Sequence, residues 1–269
     1  MLNAGTVDAV IDVLRSRLRE LDRVAVAFSG GADSAFLAWV ANDTLGPERV
    51  LAVTAVSPSL AREEEADCAA LAQEWGLRWS PVPTAELDRT DYVANGTDRC
   101  FHCKTALMDA VAPLAEAEGA TVVLGVNVDD LGDHRPGQQA AGQRGAVFPL
   151  VDAGFTKAAV RQASRELGLR TWDKPAAACL ASRIPYGTPV ILRTLDGIGR
   201  AEAALHRLGF RQVRVRHHGE VARVEVELAD LAGAVARREE VVAAVKAAGY
   251  RWVALDLEGF RSGNLNPPA

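Results

Sequence analysis

The chain has 269 residues, 49% of them hydrophobic and 24% charged, with a formal net charge of −5. A chain of this length buries roughly three quarters of its unfolded surface without disulfides or a structural metal, and its acidic balance excludes a general nucleic-acid coat. No uncharged run reaches the about 18 apolar residues of a membrane span. Four cysteines without an export signal point to thiols, a metal or a cluster in a cytoplasmic protein, not to a disulfide framework.

Val7, Val10, Ile11, Leu14, Leu18 and Leu21 recur at helical spacing, so an amphipathic helix is expected first, rather than a signal peptide. A buried strand over 24–28 then runs into Ser29-Gly30-Gly31-Ala32-Asp33-Ser34 and a helix that closes before Gly46-Pro47. Paired glycines at a strand-to-helix turn leave backbone N–H groups bare at the positive end of a helix, where anions bind. Ser29 and Ser34 add hydroxyls, and Asp33 is placed to hold a magnesium ion against bound phosphates. The turn lacks the lysine of the common P-loop and the third glycine of the dinucleotide fingerprint. It resembles the S-G-G-x-D-S PP-loop of ATP pyrophosphatases, which split ATP into AMP and pyrophosphate.

A strand is expected over 50–56, a helix over 60–75 with Ser59 as N-cap, and a strand over 77–82. Cys68 shares a helix face with Leu71, Ala72 and Trp75 and reads as a core residue. The polar, aperiodic stretch 84–99 delivers the chain to Cys100-Phe101-His102-Cys103, followed by a helix over 105–118 and a strand over 121–126. Alternation of this kind predicts an α/β domain, a parallel sheet with helices on both faces. Ligands of such sheets collect at the carboxyl ends of strands. The acid-rich loop 127–137, with Asn127, Asp129 and Asp130, therefore falls where a second part of a nucleotide site belongs.

A short strand over 147–150 and a helix over 156–167 follow, and the domain change is placed within 172–189, giving domains 1–180 and 181–269. The second is expected to be a small α+β domain: helix 195–208, strands 212–217 and 221–228, helix 231–248, strand 252–257. Alternation puts Arg214 and Arg216 on one face; with Arg193, Arg223 and Arg261 they suit an anionic substrate, a phosphate especially, or simply a solvated sheet face. His217 and His218 have no sequence partner that suggests a triad or a metal site.

Cys100 and Cys103 form C-x-x-C, which fits a redox dithiol, half of a zinc site or part of an iron–sulfur site, or else a pair of inert thiols. A second C-x-x-C is missing, and the remaining candidate thiol is Cys179, in Ala178-Cys179-Leu180-Ala181-Ser182-Arg183. These motifs, the 127–137 loop, Arg214-Val215-Arg216-His217-His218-Gly219 and Leu257-Glu258-Gly259-Phe260-Arg261-Ser262-Gly263 together resemble the LarE family over nearly the whole chain.

The resemblance implies an adenine nucleotide α-hydrolase-like fold and a sulfur transferase that uses ATP and Mg²⁺. Such an enzyme adenylates a carboxylate of pyridinium-3,5-biscarboxylic acid mononucleotide and replaces AMP with sulfur, in making the nickel-pincer cofactor of lactate racemase. It implies that Cys100, Cys103 and Cys179 hold a 4Fe-4S cluster, with sacrifice of the Cys179 sulfur as the alternative. It further implies nucleotide contacts at Ser29, Gly30, Gly31, Asp33, Ser34, Asn127, Asp129, Asp130 and Arg183, a substrate-anion site at Arg214, Arg216 and Arg261, and a homohexamer. A tRNA thiolase, an ammonia-using amide synthetase and a nucleotide-binding regulatory module are the rival readings. The partner expected is a small-molecule nucleotide, with neither nucleic acid nor membrane.

Overall fold

The computed structural model describes residues 4–132, 136–175 and 178–261. Residues 133–135 of the acid-rich loop, 176–177 ahead of Cys179, and 262–263 of the C-terminal motif lie outside the described residues. The strands are β1 (Val24–Ala27), β2 (Val50–Val56), β3 (Arg78–Pro83), β4 (Thr121–Leu124), β5 (Val213–His218), β6 (Val221–Val226) and β7 (Trp252–Leu255). The α-helices are α1 (Ala4–Leu21), α2 (Ala32–Leu45), α3 (Arg62–Glu74), α4 (Thr90–Val93), α5 (Arg99–Ala117), α6 (Pro136–Gln143), α7 (Pro149–Asp152), α8 (Lys157–Glu166), α9 (Leu192–Arg207), α10 (Leu231–Ala236) and α11 (Arg238–Ala247).

The chain divides into two compact units. The first comprises Met1–Ser57, Glu64–Glu86 and Asp98–Ala177; the second comprises Pro58–Glu63, Leu87–Thr97 and Ala178–Ala269. In the first, four strands pair in parallel in the order β3-β2-β1-β4. Alternating side chains serve two cores. Val24 and Val26 of β1 face a cluster with α1, α2, α3 and α8, built on Leu14, Phe36, Leu71 and Val160. Ala25 faces the opposite cluster, where Met108 and Val111 of α5 and Ala141 of α6 pack. The sheet is thus covered on both faces, as near-continuous apolar strands require.

Strand order reverses around β1: the chain goes to β2 and β3 on one side, then returns to β4 on the other. The crevice at this switch point, beyond the carboxyl ends of β1 and β4, is where open sheets of this type bind ligands. In the second unit β5 and β6 are antiparallel, while β6 and β7 are parallel. Leu195, Ile198, Ala201 and Leu205 form the buried stripe of α9.

Four local expectations need correction. Ser59 is not the cap of α3, which starts at Arg62; its hydroxyl pairs with the buried Tyr92 hydroxyl at 2.6 Å instead. The cysteine pair does not sit in a loop, because α5 begins at Arg99 and takes both into its first two turns. Val147 makes a single bridge to Val123 and no strand, since Pro149 starts a helical turn. The helix expected over 231–248 is two helices, interrupted at Arg237, which leaves the helical region at φ −102 and ψ 26.

Candidate active site

The loop after β1 is built by two glycines with different duties. Gly30 takes φ +67, a left-handed conformation that favours glycine. A Cβ there would also lie 2.9 Å from Cys68 Sγ and 3.7 Å from Lys174 Nζ. Gly31 is the extended N-cap of α2, and its carbonyl accepts the first helical hydrogen bond, from Ala35 N–H, at 2.9 Å. Ser34 braces the turn: its Oγ accepts from Ser29 N–H at 3.2 Å, lies 3.0 Å from Ser29 Oγ and donates to the Gly31 carbonyl at 3.2 Å. The early N–H groups of α2 have no partner within the helix, and the helix dipole makes them anion donors.

The exit of β4 touches this loop directly. A Cβ on Gly125 would fall 2.8 Å from Ser34 N and 2.9 Å from the Asp33 carbonyl carbon, so only glycine lets the two segments meet. The approach brings Asn127 and Asp130 to Asp33. Burial raises the Asp33 carboxyl above its usual range and the Asp130 charge adds to this; Lys157, Arg161 and Asn127 pull it back only in part. Lys157 Nζ lies 2.9 Å from Asp130 Oδ1, and its N–H donates to Asp129 Oδ2 at 2.8 Å. Asn127 is fully buried, and neither its side-chain oxygen nor its nitrogen has a conventional hydrogen bond. Two carboxylates with an under-satisfied amide at a phosphate-binding turn are a donor set suited to a magnesium ion carried on a nucleotide.

Lys157, Arg161 and Lys174 are the residues that motif reading missed. Thr156 caps α8, accepting from Ala159 N–H at 3.1 Å, and Lys157 and Arg161 follow one turn apart on one face. That cap-plus-cation spacing was the available signal. Lys174 has none. It is tied to Glu64 at 2.7 Å and to Asp67 at 2.6 Å, carboxylates more than a hundred residues upstream. Burial pulls its ammonium downward, but those two hydrogen bonds outweigh it and leave the group above its usual value.

Cys100 is exposed and Cys103 half-buried, one turn apart on α5 and neither in a disulfide. Gly137 of α6 packs on this turn, where a Cβ would stand 3.0 Å from the Cys100 carbonyl oxygen and 2.8 Å from Lys104 Cγ. His102 pairs with Asp98 at 3.0 Å. Cys68 is fully buried, as expected of a core residue, and burial pushes its thiol up to about 11, which keeps it unreactive.

In the second unit Cys179 is half-buried and caps the short turn Leu180–Arg183. Arg183 is buried and forks onto Glu202 at 2.9 and 2.8 Å. Arg216 forks onto Glu225 Oε2 at 3.0 and 2.8 Å, and Glu225 also takes Arg223 at 3.2 Å. Arg214 shares the buried face of β5 and stands 5.2 Å over the Phe260 ring. Burial, with Arg183 and Arg216 nearby, pushes its guanidinium down to about 10, so it stays charged at neutral pH. This face is buried rather than solvated. Arg261 is exposed and pairs with Glu258, and Arg193 is exposed on α9. Burial lowers both His217 and His218, which leaves them neutral at pH 7. Among the described residues no three His, Cys, Asp or Glu side chains are gathered as a metal site, and no helix is long and apolar enough to cross a membrane.

The NAD synthase family model matches residues 6–101, the part that carries the loop after β1. An uncharacterized protein of Synechocystis sp. is 45% identical, over 97% of this chain and 98% of its own length. The pyridinium-3,5-bisthiocarboxylic acid mononucleotide synthase of Lactiplantibacillus plantarum is 37% identical, over 94% of this chain and 92% of its own length. An uncharacterized protein of Methanocaldococcus jannaschii is 24% identical over 93% of the chain and 96% of its own length.

Proposed function

The chain belongs to the LarE family and is an enzyme of the ATP pyrophosphatase type, and from that premise we propose that it inserts sulfur into a carboxylate of pyridinium-3,5-biscarboxylic acid mononucleotide. One observation carries the reading. A near full-length relationship to a bisthiocarboxylic acid synthase coincides with an intact Ser29–Ser34 loop whose Asp33 meets Asp130 at the sheet's switch point.

The chemistry follows from the groups present. A carboxylate is a poor electrophile, and adenylation gives it a good leaving group. A substrate carboxylate oxygen attacks the α-phosphorus of ATP, and pyrophosphate leaves into the N–H groups at the start of α2. Asp33, Asp130 and Asn127 would hold magnesium, which offsets the phosphate charge, while Lys157 and Arg161 supply fixed positive charge beside Asp33. A sulfur nucleophile then attacks the acyl carbon, and AMP departs with the former carboxylate oxygen. Arg214, buried and cationic, takes the substrate phosphate, with Arg261 at the rim.

For the sulfur source we propose Cys100, Cys103 and Cys179 as ligands of a 4Fe-4S cluster, which supplies iron-bound sulfide when present. Three thiols outside any disulfide, two of them one helical turn apart, support the donor set. A second route rests on Cys179 alone, a half-buried thiol at the head of a turn braced by the buried Arg183. In it the Cys179 thiolate itself attacks the acyl carbon to form a thioester. Loss of the Cys179 Cα proton then cleaves the Cβ–Sγ bond, releasing thiocarboxylate and leaving dehydroalanine.

Four single Cys→Ala variants, purified anaerobically, decide between them. The cluster route predicts loss of iron and of thiocarboxylate at Cys100, Cys103 and Cys179, with both retained at Cys68. Iron-free wild type that loses the mass of H₂S in a single turnover, with only Cys179→Ala inactive, establishes the sacrificial route. Assembly as a homohexamer in the cytoplasm is part of the same proposal, and mass photometry checks the stoichiometry.

A further inference from the structure

The arginines that sequence reading offers as anion ligands have a different set of partners in the second unit, and those partners converge on the turn that carries Cys179. Arg183 Nη1 donates to the Ala178 carbonyl at 2.6 Å, the Cys179 carbonyl at 3.1 Å and Ser182 Oγ at 2.9 Å. Its Nε and Nη2 are both committed to Glu202. Arg216 Nη1 donates to the Ser182 carbonyl at 3.1 Å, while its Nε and Nη2 are committed to Glu225. The carbonyls on both sides of the thiol and at the far end of the turn are therefore each taken by a guanidinium. Glu202 also accepts the Val215 N–H at 2.8 Å, so the turn is wired to α9 and β5 through one carboxylate.

The other side of the turn is held as firmly. Leu180 N–H donates to the Ser59 carbonyl at 2.8 Å, and Ser59 in turn is fixed by Tyr92. Asn95, fully buried with φ +57, donates from Nδ2 to the carbonyls of Pro185 and Thr188 at 2.9 and 2.8 Å. A surface loop carrying a reactive thiol needs none of this. Buried Arg–Glu pairs add little stability over an apolar core, and their best-attested use is to fix one arrangement.

We infer that Arg183 and Arg216, each set by its own buried glutamate, are positioning residues that hold the Cys179 turn in one conformation, and are not ligands of the substrate anion. The role of the turn in sulfur transfer rests on the proposed function; its clamping does not.

The test compares wild type with Arg183→Lys, Glu202→Gln and Arg216→Lys, which keep charge or shape but lose the forked geometry. Hydrogen exchange at the amides of Leu180, Ser182 and Ile184 should quicken by about tenfold or more, the cost of losing one charge-assisted contact. Alkylation of Cys179 by iodoacetamide should speed up, while that of Cys100 in the same molecule stays unchanged. The KM for the pyridinium mononucleotide should hold while thiocarboxylate yield per AMP falls. If a single variant does not fold, Arg183→Met combined with Glu202→Gln leaves no lone buried charge and is read in its place. Unchanged exchange and alkylation with a raised substrate KM would overturn the inference and return both arginines to anion binding. Faster exchange with full thiocarboxylate yield would support the clamp and instead overturn the reading of Cys179 as a sulfur site.

Discussion

The loop after β1 and the turn after Cys179 fix reactive groups by opposite means. In the first, the work falls to backbone and small residues: Gly30 at φ +67, Gly31 at the cap, Gly125 in contact with Ser34 N, and serine hydroxyls that bond within the turn. In the second it falls to buried charge, with Arg183, Arg216, Glu202 and Glu225 each less than a tenth exposed. A site that must bind a polyanion and release it benefits from N–H donors that cost nothing to keep solvated between turnovers. A turn that must present one atom in one place benefits from forked pairs whose loss is costly.

The contrast predicts that carboxylates in the two regions fail differently. Glu225→Ala strands Arg216 and Arg223 without their shared carboxylate, and the cost should be about 3–5 kcal/mol, read as a lower urea midpoint. Gly125→Ala is next. The atoms it would strike are backbone of α2, which cannot rotate away, so about 1–3 kcal/mol of stability is lost together with most AMP formation.

Asp33→Asn should leave the urea midpoint unchanged or slightly higher, because burial and Asp130 already disfavour its charged form. AMP formation should nevertheless fall tenfold or more, by roughly the 1.5–3 kcal/mol of a lost charged contact. A large stability loss at Asp33 would break the comparison.

The smallest effect concerns pH. The raised Asp33 carboxyl must ionise to hold magnesium, so AMP formation should decline on acidification at a pH above the ordinary carboxylate range. Lys157 pulls that carboxyl down; Lys157→Met removes the pull and should move the acid limb to higher pH. A limb that moves the other way contradicts the assignment. For stability the sign is opposite at Asp67. Burial raises it, but hydrogen bonds from Lys174 and Arg170 outweigh this and lower it. Its contribution is therefore complete above the unfolded carboxylate value and lost as pH falls through the lower folded one.

The same contrast explains what was legible in the sequence. The loop at 29–34 and its flanking strand and helix could be read because local geometry demands glycine and small polar residues in a fixed order. The parallel sheet followed from alternating periodicities. The second region was illegible for a physical reason: Arg183 finds Glu202 across 19 residues, just as Lys174, beside the first loop, finds Glu64 across 110. No local pattern announces such a pair, and an arginine committed inward has the same spacing as one awaiting a phosphate. The start of α5 was misplaced because Arg99-Cys100-Phe101-His102 shows no apolar period, although tertiary packing makes it helical.

The central claim is that a substrate carboxylate is adenylated and then displaced by sulfur, and oxygen isotope transfer tests it most directly. Pyridinium-3,5-biscarboxylic acid mononucleotide labelled with ¹⁸O in its carboxylates is turned over with ATP, and the nucleotide products are weighed. The account predicts pyrophosphate and AMP, each AMP carrying one labelled oxygen, in step with thiocarboxylate. Unlabelled AMP, or ADP with label in inorganic phosphate, would contradict it.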